Sequence, residues 1–263
     1  MSVAQKTWLA RGVKMMTDIN QINTASSGKQ LAGRTALITG SSRGIGKAIA
    51  EKLASLGAAV GLCGRRELQL HSTANQLREG GARVFAQVAD VSSDGDVLAL
   101  VQRTESDLGP IDILVNNAGI GMFGAVHEKS EADWDLVMNT NLRSVFLVSK
   151  QVALRMIPRK FGDIINISSL AGKNAFAGGG LYCASKWGLL GLTGCMAEDL
   201  RVHGIRVSAV CPGSVATEFS GRGPKDPTKV LTANDVAHAV AMIALQGPQS
   251  FISEVHLRPV AKP

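Results

Sequence analysis

The chain of 263 residues has one tyrosine, and aromatic residues of all kinds make up 4% of it. Rings for stacking on bases are scarce. The 28 lysines and arginines are scattered, with no dense basic block interleaved with aromatics, which argues against a nucleic-acid partner. The formal net charge of +7 suits a phosphate-bearing small ligand better. Four cysteines (Cys63, Cys183, Cys195, Cys211) form no CxxC pair and no metal-like grouping with the five histidines. They read as free thiols in a reducing, cytoplasmic compartment, with no metal expected. Cys183 adjoins the lone tyrosine and reads as a buried helical thiol. No apolar run approaches the ~18 residues that span a bilayer, so no membrane partner is expected. Internal repeats and low-complexity segments are also missing.

What is present is material for one large core, since 45% of residues are apolar and 19% charged. Residues 1–30 lack the continuous apolar stretch of a secretory signal and carry few acids. An organellar transit peptide and a mobile arm or short leading helix are the two readings of that segment, and the arm is preferred. Ser26, Ser27 and Gly28 read as a linker, so the folded domain is expected over 31–263.

From Thr35 onward, short apolar runs alternate with amphipathic ones. Strands are expected at 35–40, 58–64, 82–88, 111–117, 162–169, 205–212 and 251–259. The stretch 44–57 between the first two puts Ile45, Ile49, Leu53 and Leu56 on one helical face. Strands that are apolar throughout are buried on both sides, which predicts an α/β fold: a doubly wound, Rossmann-type parallel sheet with helices on both faces. Ligands of such sheets bind beyond the carboxyl ends of the strands, where strand order reverses. The two longest helices are expected at 132–156 and 181–204. The second carries Gly188, Gly191 and Gly194, each costing on the order of 1 kcal/mol relative to alanine. Such a stripe predicts a close backbone neighbour, at a subunit interface or against the sheet.

The first strand ends in TGSSRGIG (39–46), so Gly40, Gly44 and Gly46 fall at a strand-to-helix turn. A glycine turn that opens a helix lets backbone N–H groups and the positive helix end meet a pyrophosphate. The second strand ends in CGRRE (63–67), with Gly64 where an NAD-binding fold often has an acid. Arg65 and Arg66 follow, and Arg43 sits inside the glycine loop. Guanidinium groups bind a ribose 2′-phosphate in fork geometry, which favours NADP(H) over NAD(H). The competing reading makes one or both strand-end arginines solvated surface charges.

The lone tyrosine, Tyr182, stands in LYCASK (181–186), four residues before Lys186. On a helix the two side chains share a face one turn apart. A core tyrosine with a satisfied hydroxyl is the plain alternative. Proton exchange at neutral pH would need a phenol shifted by about 3 units from ~10, roughly 4 kcal/mol, and a nearby fixed positive charge acts in that direction.

These motifs in this order, TGSSRGIG, Asp90 in ADVSS, NNAG (116–119), Asn141 in NTNL, Ser169, YCASK and CPGSVAT (211–217), resemble the short-chain dehydrogenase/reductase family over residues 33 to 258. The chain is similar to its 3-oxoacyl-[acyl-carrier-protein] reductases. The resemblance implies a seven-stranded single-domain fold, assembly as a homodimer or homotetramer, and reduction of a carbonyl by hydride transfer from NADP(H). It implies Tyr182 as general acid/base and Lys186 as the cation that lowers its pKa and holds the nicotinamide ribose. The positive ring of the oxidised cofactor would join Lys186 in stabilising the phenolate. Asn141 would support a water relay from the lysine. Of Ser168 and Ser169, the family spacing to the tyrosine selects Ser169 as the second hydrogen-bond donor. Cofactor contacts are implied for Gly40, Ser42, Arg43, Gly44, Ile45, Gly46, Arg65, Arg66, Asp90, Val91, Asn117, Ala118 and Gly119. They are implied equally for Tyr182, Lys186, Pro212, Gly213, Val215 and Thr217.

Substrate identity is not legible at this level. The pocket is expected to involve 171–180 and 218–231, the latter with Arg222, Lys225 and Lys229 at its mouth. Those charges read as a contact for a phosphorylated acyl carrier or as solvated groups on a loop. The C-terminal FISEVHLRPVAKP departs from the glycine-pair ending of 3-oxoacyl reductases, which leaves small ketones, aldehydes and polyols open. Two further alternatives are an idle NADP-sensing protein on the same fold and a sugar-nucleotide epimerase or dehydratase, which shares YxxxK.

Overall fold

A computed structural model describes residues 29–220, 226 and 229–261. The compact unit spans Leu31–Pro263. Residues 1–28, for which the arm or leading helix is expected, lie outside the described residues. So do Arg222 and Lys225 of the proposed basic mouth.

Seven strands form one sheet: β1 (Thr35–Thr39), β2 (Ala59–Gly64), β3 (Val84–Val88), β4 (Ile113–Asn116), β5 (Gly162–Ile167), β6 (Ile205–Pro212) and β7 (Glu254–Leu257). Their order is β3-β2-β1-β4-β5-β6-β7, and every pairing is parallel. The chain winds outward from β1 to β3 and then returns to the other side of β1, so strand order reverses between β1 and β4. A crevice opens at that point.

The helices are α1 (Gly44–Ser55), α2 (Glu67–Glu79), α3 (Asp94–Leu108), α4 (Glu131–Met138), α5 (Ser144–Met156), α6 (Gly180–Arg201) and α7 (Ala233–Ala244). Side-chain alternation along the strands divides the core. Ala36, Ile38, Ile113, Val115, Ile165 and Ile167 pack with α1, α2 and α7, through residues such as Ile49, Leu53, Leu70 and Val240. Leu37, Leu114 and Ile164 face the opposite side, against Leu100, Val101, Val148 and Met156 of α3 and α5. Both faces are therefore dry, which is why the strands read as unbroken apolar runs.

Two sequence expectations change. The helix expected over 132–156 is interrupted by a π-helical turn, Asn139–Arg143, between α4 and α5. Asn141 lies in that turn, fully buried, with its amide Nδ2 donating to Ile120 O (2.9 Å) and Ser185 Oγ (3.0 Å). The wider turn carries the amide inward, as π insertions often do beside functional sites. The glycine stripe of α6 is not pressed against the sheet. A Cβ at Gly188 would lie 3.0 Å from Leu142 Cδ2, whereas at Gly191 and Gly194 it would meet nothing within 4 Å. Those two positions are exposed.

Candidate active site

The carboxyl ends of β1, β2, β4, β5 and β6 border a cleft of about 960 Å³. Three helices, α3, α4 and α7, begin with a Ser or Thr side chain that accepts from the first-turn backbone. Helix α1 does not: its N-cap residue is Arg43, no side chain caps it, and no acid stands in its first turn. Its free N–H groups and positive dipole end face the cleft, an environment that stabilises an anion. The backbone is correspondingly tight there. A Cβ on Gly40 would lie 2.8 Å from Ala118 Cα, and one on Gly46 would lie 2.3 Å from Gly40 O. The β1 and β4 ends are stitched together by Thr39 Oγ1, which accepts from Asn117 N and Ala118 N (both 3.0 Å). Asn117 Nδ2 donates back to Thr39 O (2.9 Å) and Gly40 O (3.0 Å). Asn117 thus holds the loop with its side chain, and its partner is Thr39, the first residue of TGSSRGIG.

Every residue expected at the cofactor borders this cleft: Gly40, Ser42, Arg43, Gly44, Ile45, Gly46, Arg65, Arg66, Asp90, Val91, Asn117, Ala118, Gly119, Tyr182, Lys186, Pro212, Gly213, Val215 and Thr217. The arginines are not all unpartnered. Arg43 is ion-paired with Glu218 across the groove, and Arg65 Nη1 lies 3.8 Å from Asp90 Oδ2. Uncapped helix, glycine turn and three arginines fit a dinucleotide that carries an extra phosphate.

Tyr182 and Lys186 project from α6 at the far side of the cleft. Ser169, just beyond β5, stands beside the Tyr182 phenol, its Oγ accepting from Ala171 N (3.1 Å) and donating to Pro212 O (3.5 Å), while Ser168 Oγ turns to Lys186 O (3.4 Å). The two serines turn to different sides, and of the two Ser169 is the one beside the phenol. Asn141 does not border the cleft. Its Oδ1 accepts from Ile120 N (2.8 Å), so both ends of the amide are committed to protein groups.

The expected lowering of the phenol's pKa is overturned for the protein alone. Burial pushes Tyr182 up to about 12, against a smaller opposing effect of the neighbouring Ser169 hydroxyl. Lys186 is buried too, and loss of hydration pushes it down to about 8. Its Nζ lies 5.8 Å from the tyrosine ring centroid and donates to Ile167 O (2.9 Å). Desolvation of both groups outweighs the attraction that spacing suggested.

The fold also gathers what spacing kept apart. Cys211, Glu254 and His256 meet on one face of β6 and β7, with ligand atoms within 4.8 Å of one another. Lys173 Nζ lies 3.0 Å from Glu254 Oε1 and already neutralises that carboxylate. Burial pushes the Cys211 thiol up to about 12. Nearer the chemistry, Phe123, Phe176 and Phe219 line the cleft around Tyr182. Phe176 and Phe219 fall within the segments expected to form the pocket, but Phe123 was not foreseen.

Comparison with known proteins agrees with this geometry. The family model described as short chain dehydrogenase matches residues 34–227. Nodulation protein G of Rhizobium sp. (strain N33) is 41% identical over 225 residues, covering 82% of this chain and 91% of that one. Gluconate 5-dehydrogenase of Gluconobacter oxydans (strain 621H) is 42% identical over 192 residues, covering 73% and 75%. A metagenomic short-chain oxidoreductase crystallised with NADP superposes with a TM-score of 0.79 at 42% identity, covering 89% of this chain and all of that one. A seven-stranded parallel sheet, a phosphate-receptive turn and matching sequence over most of the domain lead to one conclusion: the chain belongs to the short-chain dehydrogenase/reductase family of oxidoreductases.

Proposed function

We propose that the protein binds NADP(H) in this cleft and reduces a carbonyl compound to an alcohol, with Tyr182 as the proton donor. The observation that carries the reading is that Tyr182 and Ser169 line one wall of a cleft whose other end is an uncapped helix with three arginines. Bound NADPH supplies the hydride. The α1 N-terminus receives the pyrophosphate, and Arg43, Arg65 and Arg66 receive the 2′-phosphate. Arg43 exchanges Glu218, and Arg65 exchanges Asp90, for that phosphate. Negative charge then develops on the substrate oxygen. Tyr182 donates its proton there, and Ser169 Oγ donates a second hydrogen bond. Lys186, in its ammonium form, favours the phenolate left behind. Asn141 acts at one remove, by fixing Ser185 and Ile120 behind the tyrosine.

The test is a fluorescence titration with NADPH and NADH, followed by turnover assays on carbonyl compounds including an acetoacetyl thioester. We expect NADPH to bind at least tenfold more tightly than NADH, and Tyr182→Phe to abolish turnover while NADPH affinity stays within twofold. Retained turnover in that variant removes the tyrosine from the mechanism. Binding without any turnover would favour an idle sensor on the same fold. Self-association as a dimer or tetramer belongs to the same proposal, supported by the open positions of Gly191 and Gly194 beside Trp187, which is 53% exposed. Sedimentation velocity is expected to give a dimer or larger, and Trp187→Glu to weaken it.

A further inference from the structure

Three of the seven phenylalanines converge on the one tyrosine, although they come from separate parts of the chain. Phe123 meets the Tyr182 ring edge-on at 5.5 Å between centroids, and Phe219 meets it at 5.8 Å. Phe176 adds a third ring 6.1 Å from Phe123. Room for them is made by glycines. A Cβ on Gly121 would lie 2.8 Å from Phe219 Cε1 and 2.9 Å from Phe123 Cε2, and one on Gly179 would lie 2.7 Å from Phe176. The loops bearing Phe123 and Phe176 are joined by Gly124 N donating to Gly178 O (2.9 Å). Yet the rings are not sealed off: Phe176 is 46% exposed and Phe219 40% exposed, in a cleft open to water. Large apolar faces left wet beside a reactive hydroxyl pair are surface that a bound apolar molecule would cover.

The charges in the cleft point the same way. Arg65 and Arg66 follow β2, which is three strands from β5, roughly 14 Å at about 4.8 Å per strand. Arg43 is held by Glu218, or by the 2′-phosphate once the proposed cofactor is bound, and Lys186 is buried with its Nζ donating to Ile167 O. An anionic substrate placed at Tyr182 would therefore find no uncommitted cation among the described residues lining this end of the cleft. A negative charge would meet phenyl rings.

Building on the NADP(H)-dependent carbonyl reduction proposed above, we infer that the substrate is a flat, uncharged ketone with an aryl group beside its carbonyl. Phe123, Phe176 and Phe219 act as its specificity-determining residues. An aryl group would complete the edge-to-face cluster while its carbonyl oxygen reaches Tyr182 and Ser169. Sugar acids and polyols, which carry many hydroxyls or a carboxylate, would leave those polar groups desolvated and unpaired.

The experiment compares NADPH-dependent reduction of acetophenone and 2-tetralone with that of 5-ketogluconate and dihydroxyacetone by the full-length protein. The aryl ketones are expected to exceed both polar ketones by at least tenfold in kcat/KM. Phe123→Ala and Phe219→Ala should each raise KM for 2-tetralone by about tenfold, with NADPH affinity and melting temperature little changed. Gly121→Val, which drives a side chain into both rings, should do the same without removing a phenyl group. Equal or better use of 5-ketogluconate, or an unchanged KM for 2-tetralone in all three variants, would overturn the inference. So would absence of aryl-ketone reduction by a protein that reduces other carbonyls. Failure to bind NADPH, or retained turnover in Tyr182→Phe, would instead sink the cofactor and mechanism reading on which the inference rests.

Discussion

Lys186 carries the energetic cost of the site in one side chain. Burial pushes its ammonium down to about 8 from the 10.5 of a free lysine. Between those two values the unfolded chain holds more protons than the folded one, so stability contributed by this group rises as pH climbs from about 8 to 10.5. Below pH 8 the folded protein bears the full cost of the buried charge, roughly 3 kcal/mol at about 1.4 kcal/mol per unit. Lys186→Met should therefore melt at a higher temperature than the parent at pH 7, lose turnover, and lose most of its stability advantage by pH 10. Melting curves at the two pH values check this, and a variant less stable at both would contradict it. Tyr182, pushed up to about 12, has the opposite sign: its contribution falls as pH rises from about 10 to 12. YxxxK was legible in the chain, but the direction of either pKa was not, because spacing reports proximity and says nothing of hydration.

At the scale of elements, a buried polar chain sets helix α6 against the sheet. Asn116 Nδ2 donates to Ser149 Oγ (2.9 Å) and Asn166 Oδ1 (2.8 Å), and Asn166 Nδ2 donates to Thr193 Oγ1 (2.9 Å). The links join β4, β5, α5 and α6. Asn166 is fully buried. Replacing it with alanine leaves polar partners under-satisfied in the core, and Asn166→Ala is expected to cost about 1–3 kcal/mol in urea unfolding. A change below 0.5 kcal/mol would mean that the chain is dispensable. The strands were readable because both faces are apolar. The π turn was not, since it depends on Asn141 finding Ile120 and Ser185, partners 21 and 44 residues away.

For the molecule as a whole, reactive and stabilising charges occupy opposite ends of the sheet. The cleft lies at the carboxyl ends of the strands, while Asp163, near the start of β5, is buried between Arg206 (Nη2 at 2.9 Å from Oδ2) and Arg34 (Nη2 at 3.1 Å). Asp112 stands just before β4 and accepts from Arg159 (2.7 Å) and Thr35 N (3.0 Å). Removing one member of such a group leaves uncompensated guanidinium charge in a largely dry setting. Asp163→Ala is expected to cost about 3–5 kcal/mol by urea unfolding, while the folded fraction binds NADPH as before. A parallel loss of cofactor affinity in the folded fraction would show that the two ends are coupled.

Local properties of the sequence determined the alternation of strands and helices, the glycine turn, the arginines after β2 and the YxxxK pair. Each depends on residues within a turn or a strand of one another, where periodicity and steric demands operate. Tertiary structure decided that Arg43 is engaged by Glu218, and that Phe123 and Phe219 meet Tyr182 with Phe176 against Phe123. Those contacts join residues far apart in the chain. Whether they form is set by how the packed sheet and helices bring their loops together at one end, a property no local pattern encodes.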